Sequence, residues 1–396
     1  MCLRDNNCKM KIVVDENMPL VDAFFKGFGS VVHKPGRLIT HDDLLDADAL
    51  LIRSVTPVTA SLLEGTAVQF VGSATIGVDH IDQDYLVKQG IGWASAPGCN
   101  ADAVVNYVLT CLLELEISRG LDLRGALVGI VGYGNVGRRL KSALQKLGVS
   151  VVVCDPLLAE VFGEEAGQFV SLEEILKSDV ISLHVPMVVS GMHPTYHMMD
   201  ATQLKNLKAN AVLINTSRGG VINNQVLGQV LEKRPDLSVV LDVWENEPLL
   251  DWQLANAVNI ATPHIAGYSY DGKVKGTEMV YRSFCEHFGY ASSLSLQGVI
   301  DHELDVTLDP KVLIEDEMIS TLKIVRAVYS VMQDDSDLRR TLKQPEESRI
   351  AAFDQLRKNY RLRREFSTIA FKNSEWLSNT LGSDELTRMR GLGFSL

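Results

Sequence analysis

The sequence has no pair of cysteines at CxxC spacing: Cys2, Cys8, Cys99, Cys111, Cys154 and Cys285 are scattered along the chain. That pattern leaves no zinc site and no disulfide framework to expect, and it fits a reducing compartment. Long apolar runs are also lacking. No stretch approaches the ~20 apolar residues that span a bilayer, and the opening MCLRDNNCKMKIVVDENMPL carries charges throughout. The reading is a cytoplasmic chain with no membrane partner. Basic residues are in deficit, 38 Lys and Arg against 50 Asp and Glu, for a formal charge of -12. A phosphate backbone would be repelled before contact, so nucleic acid is an unfavourable partner and a small molecule a better one.

What is present is apolar mass in excess of one core: 396 residues, 46% of them hydrophobic, call for a multidomain chain. The first nine residues look irregular and read as an extension or an upstream start. From Met10 short β-rich runs (KIVVD, SVVHKP, ALLIRS, VQFVGSA, GWASA) alternate with amphipathic segments, the pattern of a parallel sheet. After the apolar stretch NADAVVNYVLTCLLELEISRG, which Asn100 or Asp102 can cap, the alternation resumes with ALVGIVG, SVVVCD, VISLHV, AVLINTS, LSVVLDV and NIATPH. The expectation is an α/β protein of two doubly wound lobes with a ligand cleft between them. A helix from Asp271 to about Gly289 crosses back to the first lobe, and from Val299 onward a helix-rich third domain follows.

The segment GYGNVG comes directly after an apolar strand and opens a helical stretch, the context that a GxGxxG fingerprint requires. Gly132 permits the tight turn, Gly134 lets backbone approach a pyrophosphate, and Gly137 lets helix and strand pack, with Asn135 and Val136 supplying N–H groups at the helix start. Asp155 ends the next strand eighteen residues after Gly137, where a carboxylate accepts from ribose hydroxyls and repels a 2′-phosphate. That predicts NAD over NADP.

Three motifs follow at successive strand ends: NTSRGG with Arg218, DVWENEP with Glu247 and TPHIAG with His264. Oxidising a secondary alcohol needs a base for the hydroxyl proton, and histidine has a near-neutral pKa. A carboxylate such as Glu247 fixes its tautomer, and the fork of Arg218 suits a substrate carboxylate. Each also has a structural reading: Arg218 on a loop carbonyl, Glu247 starting a turn before Pro248, His264 filling a strand end.

The ordered set GYGNVG, Asp155, NTSRGG, DVWENEP and TPHIAG resembles the D-2-hydroxyacid dehydrogenase family over roughly residues 10 to 300. The resemblance implies a Rossmann NAD lobe inserted into a discontinuous, flavodoxin-like substrate lobe, with Arg218, Glu247 and His264 catalytic. Glu247 stands where the related formate dehydrogenases have glutamine, which argues against formate. The segments MKIVVDENMP, IRSVTPV, GSATIGVDHID, APGCNADAVVNYV, HIAGYSYDGK and LRKNYRLRRE resemble a branch of the family acting on a small phosphorylated hydroxy acid. They imply substrate contacts at Ser54, Thr75 and Tyr268, and cofactor contacts at Val185, Thr216, Ser217, Asp242 and Gly267. At His184 to Met187 the chain has HVPM where many relatives have HTPL, which leaves Val185 a backbone contact only. Arg53 can supply charge for a phosphate.

The implied domains are a substrate-binding lobe of residues 10–105 and 275–298, an NAD-binding domain of residues 106–274 and a small α+β C-terminal dimerisation domain of residues 299–396, pairing the chain as a homodimer. The basic stretch from Arg339 to Arg364 reads first as a solvated helix face and second as an arginine donor to a partner's phosphate site. Two other functions stay open: oxidation of another 2-hydroxy acid such as phosphoglycerate, and a nucleotide-sensing corepressor-like scaffold on the same fold.

Overall fold

The computed structural model describes residues 9–163, 169–299, 307–309, 321–372 and 374–396; residues 1–8, most of the expected N-terminal extension, lie outside them. The chain divides into two compact units, Met1–Asn100 with Ser269–Asp305 and Ala101–Tyr268 with Val306–Leu396.

In the first unit β1 (Met10–Asp15), β2 (Gly29–Lys34), β3 (Ala49–Ile52), β4 (Phe70–Ser73) and β5 (Gly92–Ala94) form a sheet in the order β2-β1-β3-β4-β5. Every pairing is parallel, with Val13 opposite both Val32 and Leu50. This is the flavodoxin-like order that the resemblance implied. The inner strands β3 and β4 are buried along their whole length, which is why they read as continuous apolar runs and not as alternation. The Tyr270–Phe288 helix belongs to this unit and covers one face through Val280, Tyr281 and Phe284, packed on Phe24, Phe25 and Phe70.

The second unit holds β6 (Leu127–Val131), β7 (Ser150–Cys154), β8 (Val180–Leu183), β9 (Val212–Asn215), β10 (Ser238–Leu241) and β11 (Ile260–Ala261), in the order β11-β10-β9-β8-β6-β7 and again parallel throughout. A lone parallel bridge from Phe169 to Val153 lies beyond β7. Counted with it, the strands run 3-2-1-4-5-6-7, the dinucleotide-binding order 3-2-1-4-5-6 with β11 added at the far edge. The Ala101–Arg119 helix is buried from Ala103 to Leu115 on every face, as expected of a helix apolar all round. The capping expected of Asn100 is not made: its Oδ1 is buried without a hydrogen-bond partner. Asp102 instead pairs with Arg139 at 3.4 Å.

The described C-terminal residues from Thr307 on fall in the second unit. They are mostly helical, with one two-stranded parallel pair, β12 (Thr307–Leu308) and β13 (Ala370–Phe371). The expectation of a solvated basic face holds for Arg340, Lys343 and Lys358, which are exposed, but not for Arg339 and Arg363, which serve as bridges. Arg363, 2% exposed, donates to the carbonyls of Ala103 at 2.6 Å and Ala266 at 3.1 Å, and its guanidinium lies 3.7 Å from the Tyr329 ring centroid. Arg339 pairs with Asp335 at 2.8 Å and donates to the carbonyls of Ala255 and Val258. Asp335 in turn accepts from Ala261 N–H at 2.8 Å, occupying the open edge of β11 that would otherwise invite another strand. The four cysteines among the described residues, Cys99, Cys111, Cys154 and Cys285, are free and buried.

Candidate active site

The glycine turn after β6 is shaped by close backbone packing. A Cβ on Gly137 would overlap the Gly132 carbonyl, and Gly132 itself has φ 93 beside the His184 carbonyl. Gly134 has open space where a side chain would go. It occupies the N-cap of the Asn135–Lys146 helix without a side-chain cap, so the first N–H groups face out with the positive end of the helix behind them. Asp155 accepts from Tyr133 N–H at 2.8 Å and, as the N-cap of the Pro156–Phe162 helix, from Leu158 N–H at 3.1 Å. It therefore ties the glycine turn to the end of β7. The Val185 side chain reaches 3.0 Å from the Cβ position of Gly132. These are the features that a dinucleotide pyrophosphate and ribose require, and the residues fit the cofactor that the sequence implied.

The three acid–base candidates follow β9, β10 and β11, neighbouring strands whose ends lie about 4.8 Å apart. His264 Nδ1 and Glu247 Oε2 are 2.7 Å apart, with the imidazole about a third exposed and the carboxylate less so. Glu247 Oε1 accepts from Trp244 N–H at 2.8 Å. Burial pushes the Glu247 carboxyl upward, but the charge and hydrogen bond of His264, the Trp244 N–H and Arg357 together hold it below the usual carboxylate range. It is a carboxylate at neutral pH, and the imidazole keeps Nε2 for a ligand. Both His264 (φ 56) and Asn246 (φ 61) adopt the left-handed region, which costs a non-glycine residue of order 1–3 kcal/mol and is tolerated where the surroundings over-determine it.

Asp242 supplies that constraint. Its carboxylate accepts from Thr262 Oγ1 at 2.6 Å and from the N–H groups of Ile265 and Ala266 at 2.8 Å, while its carbonyl accepts from His264 N–H at 2.7 Å. Tyr107 extends the network to Thr262 at 2.7 Å. All these Asp242 bonds fix the 262–266 loop. Arg218 donates to the Ser217 carbonyl at 2.9 Å, and Asn215 holds both the Arg218 carbonyl and Ser217 Oγ. Beside it, burial drives His184 down to about 3, so that it is neutral; it sits 2.9 Å from Ser182 Oγ and 3.3 Å from Thr216 Oγ1.

Tyr268 and Gly267 lie on the same loop as His264. Tyr268 packs edge-on against Tyr360 at 5.7 Å, and the Arg357 guanidinium stands 5.9 Å from its ring centroid. Burial opposes the Arg357 charge, but Tyr268, Glu247 and Asp242 outweigh it and raise its pKa. Arg357 and Tyr107 both lie in segments conspicuous in the sequence, Arg357 in LRKNYRLRRE and Tyr107 in APGCNADAVVNYV, but neither had a role assigned. Neither has a local motif. In the first unit, Ser54 is exposed just after β3, Arg53 beside it is half-buried, and Thr75 after β4 meets Ser73 Oγ at 2.8 Å.

Comparison with known proteins adds the following. Residues 114–266 match the family model described as D-isomer specific 2-hydroxyacid dehydrogenase, NAD binding domain, and residues 306–386 match a domain of unknown function. The chain is 48% identical to erythronate-4-phosphate dehydrogenase of Azotobacter vinelandii, over 92% of this chain and 95% of that protein. It is 46% identical to the protein of the same name from Pseudomonas paraeruginosa, over 98% of this chain and all of the other. Among solved structures, the NAD+-bound 3-phosphoglycerate dehydrogenase of Entamoeba histolytica superposes with a TM-score of 0.60 at 22% identity, covering 74% of this chain and 99% of the other. D-lactate dehydrogenase from Aquifex aeolicus, complexed with NAD and lactic acid, gives 0.57 at 24% identity, covering 70% and 96%. At these identities the structures show a shared fold.

Proposed function

This chain belongs to the erythronate-4-phosphate dehydrogenase family, within the D-isomer specific 2-hydroxyacid dehydrogenases, and we propose that it oxidises 4-phospho-D-erythronate at C2 to 2-oxo-3-hydroxy-4-phosphobutanoate. The reaction serves pyridoxal 5′-phosphate (vitamin B6) biosynthesis. NAD, when bound, would supply the acceptor for the C2 hydride. Gly132, Gly134, Asn135, Val136 and Gly137 hold its pyrophosphate and Asp155 its ribose, with Val185, Thr216, Ser217, Asp242 and Gly267 lining the remainder.

The chain's own groups manage the charge and the proton. Arg218 pairs with the substrate carboxylate and orients C2. His264 accepts the C2 hydroxyl proton at Nε2, because Nδ1 is committed to Glu247. The Glu247 carboxylate stabilises the imidazolium that results. Ser54, Thr75, Tyr268 and Arg53 contact the polyol and phosphate. The observation that carries this reading is the 2.7 Å His264–Glu247 pair on a loop fixed by Asp242.

The domain roles we propose, with boundaries moved to those of the two units, are substrate binding by residues 10–100 and 269–298, NAD binding by residues 101–268, and pairing of two copies into a cytoplasmic homodimer by residues 299–396. Light scattering on the full-length chain tests the last point, with twice the chain mass expected and a single-chain mass counting against it. The activity test is the absorbance of NADH formed from NAD with 4-phospho-D-erythronate, 3-phosphoglycerate or D-lactate. Formation with the first acid supports the proposal. Turnover of phosphoglycerate alone would move the chain to a neighbouring activity, and binding of NADH without any turnover would favour a scaffold.

A further inference from the structure

The first unit brings two cations to one turn of backbone. Ile52 pairs with Ser73 in the β3–β4 register, so Arg53 lies level with Ala74, whose N–H donates to the Ile52 carbonyl at 2.9 Å. Lys273 is in the first turn of the Tyr270–Phe288 helix. In that helix Gly276 is pressed so closely on Ala74 that a Cβ would lie 2.8 Å from its carbonyl oxygen. Residues three apart share a helix face, which carries Lys273 to the Ala74–Thr75 turn as well. Gly272 backs the arrangement, its Cβ position 3.1 Å from Asn100 Cα. Hydroxyls surround the turn: Thr75 and Ser73 at 2.8 Å from one another, and Ser54 exposed next to Arg53.

We propose that Arg53 and Lys273 form the seat for the substrate's phosphate, and that Lys273 sets the preference for phosphorylated over unphosphorylated hydroxy acids. The proposal rests on the reading of the substrate given above. Two like charges held together repel, and a phosphate carrying about -1.5 to -2 between them turns that repulsion into two charge-assisted bonds. Burial, and then the charge of Arg53, lower Lys273 to about 8, the direction expected of an ammonium poised for an anion. A helix-start residue chosen only for solubility has no reason to be half-buried beside an arginine.

The test compares wild type, Lys273→Gln and Lys273→Arg by the ratio of kcat/KM for 4-phospho-D-erythronate to that for D-erythronate. Lys273→Gln is expected to lower this ratio about ten- to hundredfold, mainly through KM, and Lys273→Arg to keep it within about threefold. An unchanged ratio in Lys273→Gln, or equal losses on both acids, overturns the seat. Charged or titratable groups on the segments around it are Arg53, Asp79, His80 and Asp271, and burial together with the Arg53 charge lowers Lys273. In wild type KM for the phosphorylated acid therefore rises above about pH 8 as Lys273 loses its proton, and Lys273→Arg removes the rise. Should wild type oxidise neither acid, thermal shift with inorganic phosphate separates the two ideas. Stabilisation of wild type but not of Lys273→Gln keeps the seat while the substrate reading falls; no stabilisation of either sinks the seat.

Discussion

The glycine turn at Gly132–Gly137 and the basic stretch from Arg339 to Arg364 were both conspicuous in the sequence, and only one of them is what its residues announced. The turn works through backbone, where Gly132 and Gly137 are needed because of atoms within a few residues or on a neighbouring strand. The arginines work through carbonyls far away in the chain: Arg363 reaches Ala103 and Ala266, and Arg339 reaches Ala255 and Val258. A short-range motif carries its partners with it. A run of charge names no partner, so its default reading as a solvated face gave way to bridges at Arg339 and Arg363.

The largest expected effect lies at the loop that those bridges support. His264→Ala should lower turnover roughly 10²- to 10⁴-fold while NADH binding, followed by fluorescence, stays near wild type; turnover within a few-fold would remove His264 from the mechanism. Next comes the contrast within the basic stretch. Arg363→Ala leaves three backbone carbonyls without their charged donor and should cost about 2–4 kcal/mol in denaturant unfolding. Exposed Lys358→Ala should stay within about 0.5 kcal/mol. Equal costs for the two would erase the distinction drawn between bridge and solvated face.

Gly137→Ala sharpens the other side of the comparison. The added methyl meets the Gly132 carbonyl, and overpacking of this kind costs about 1–3 kcal/mol, which should appear with weakened NADH binding; wild-type affinity would show that the turn has room to spare. The smallest effect is one of pH. Glu247 is held below the usual carboxylate range in the folded chain, so its ionisation stabilises the fold above the unfolded carboxylate pKa of about 4.3. That contribution fades as pH falls through the lower, folded value. The melting-point gap between wild type and Glu247→Gln should accordingly be present at pH 7 and narrow in acid, and a gap that widens in acid would refute the pairing.

Both sheets were legible because their inner strands, such as β3, β8, β9 and β10, carry continuous apolar runs between turn signals, and a parallel sheet buried on both faces demands that pattern. His264 and Glu247 were legible as types, since each stands a few residues past a strand end where ligands meet α/β sheets. Their orientation was not. The left-handed backbone at His264 and Asn246 and the three bonds of the Asp242 carboxylate into the 262–266 loop depend on atoms brought together by folding. Arg357 is the same case: nothing in LRKNYRLRRE separates it from Lys358, yet it stands beside Tyr268 and acts on Glu247.

By itself, then, the order of residues determined the two parallel sheets, the glycine turn with its acidic partner and the identities of the acid–base pair, because periodicity and spacing along the chain express those directly. Tertiary structure decided which charges would be buried, which carboxylate would hold a loop and which would hold an imidazole. Such choices depend on distances between residues separated by 17 positions for Glu247 and His264 and by 260 for Arg363 and Ala103, and a charged side chain's burial and partners are properties of that packing alone.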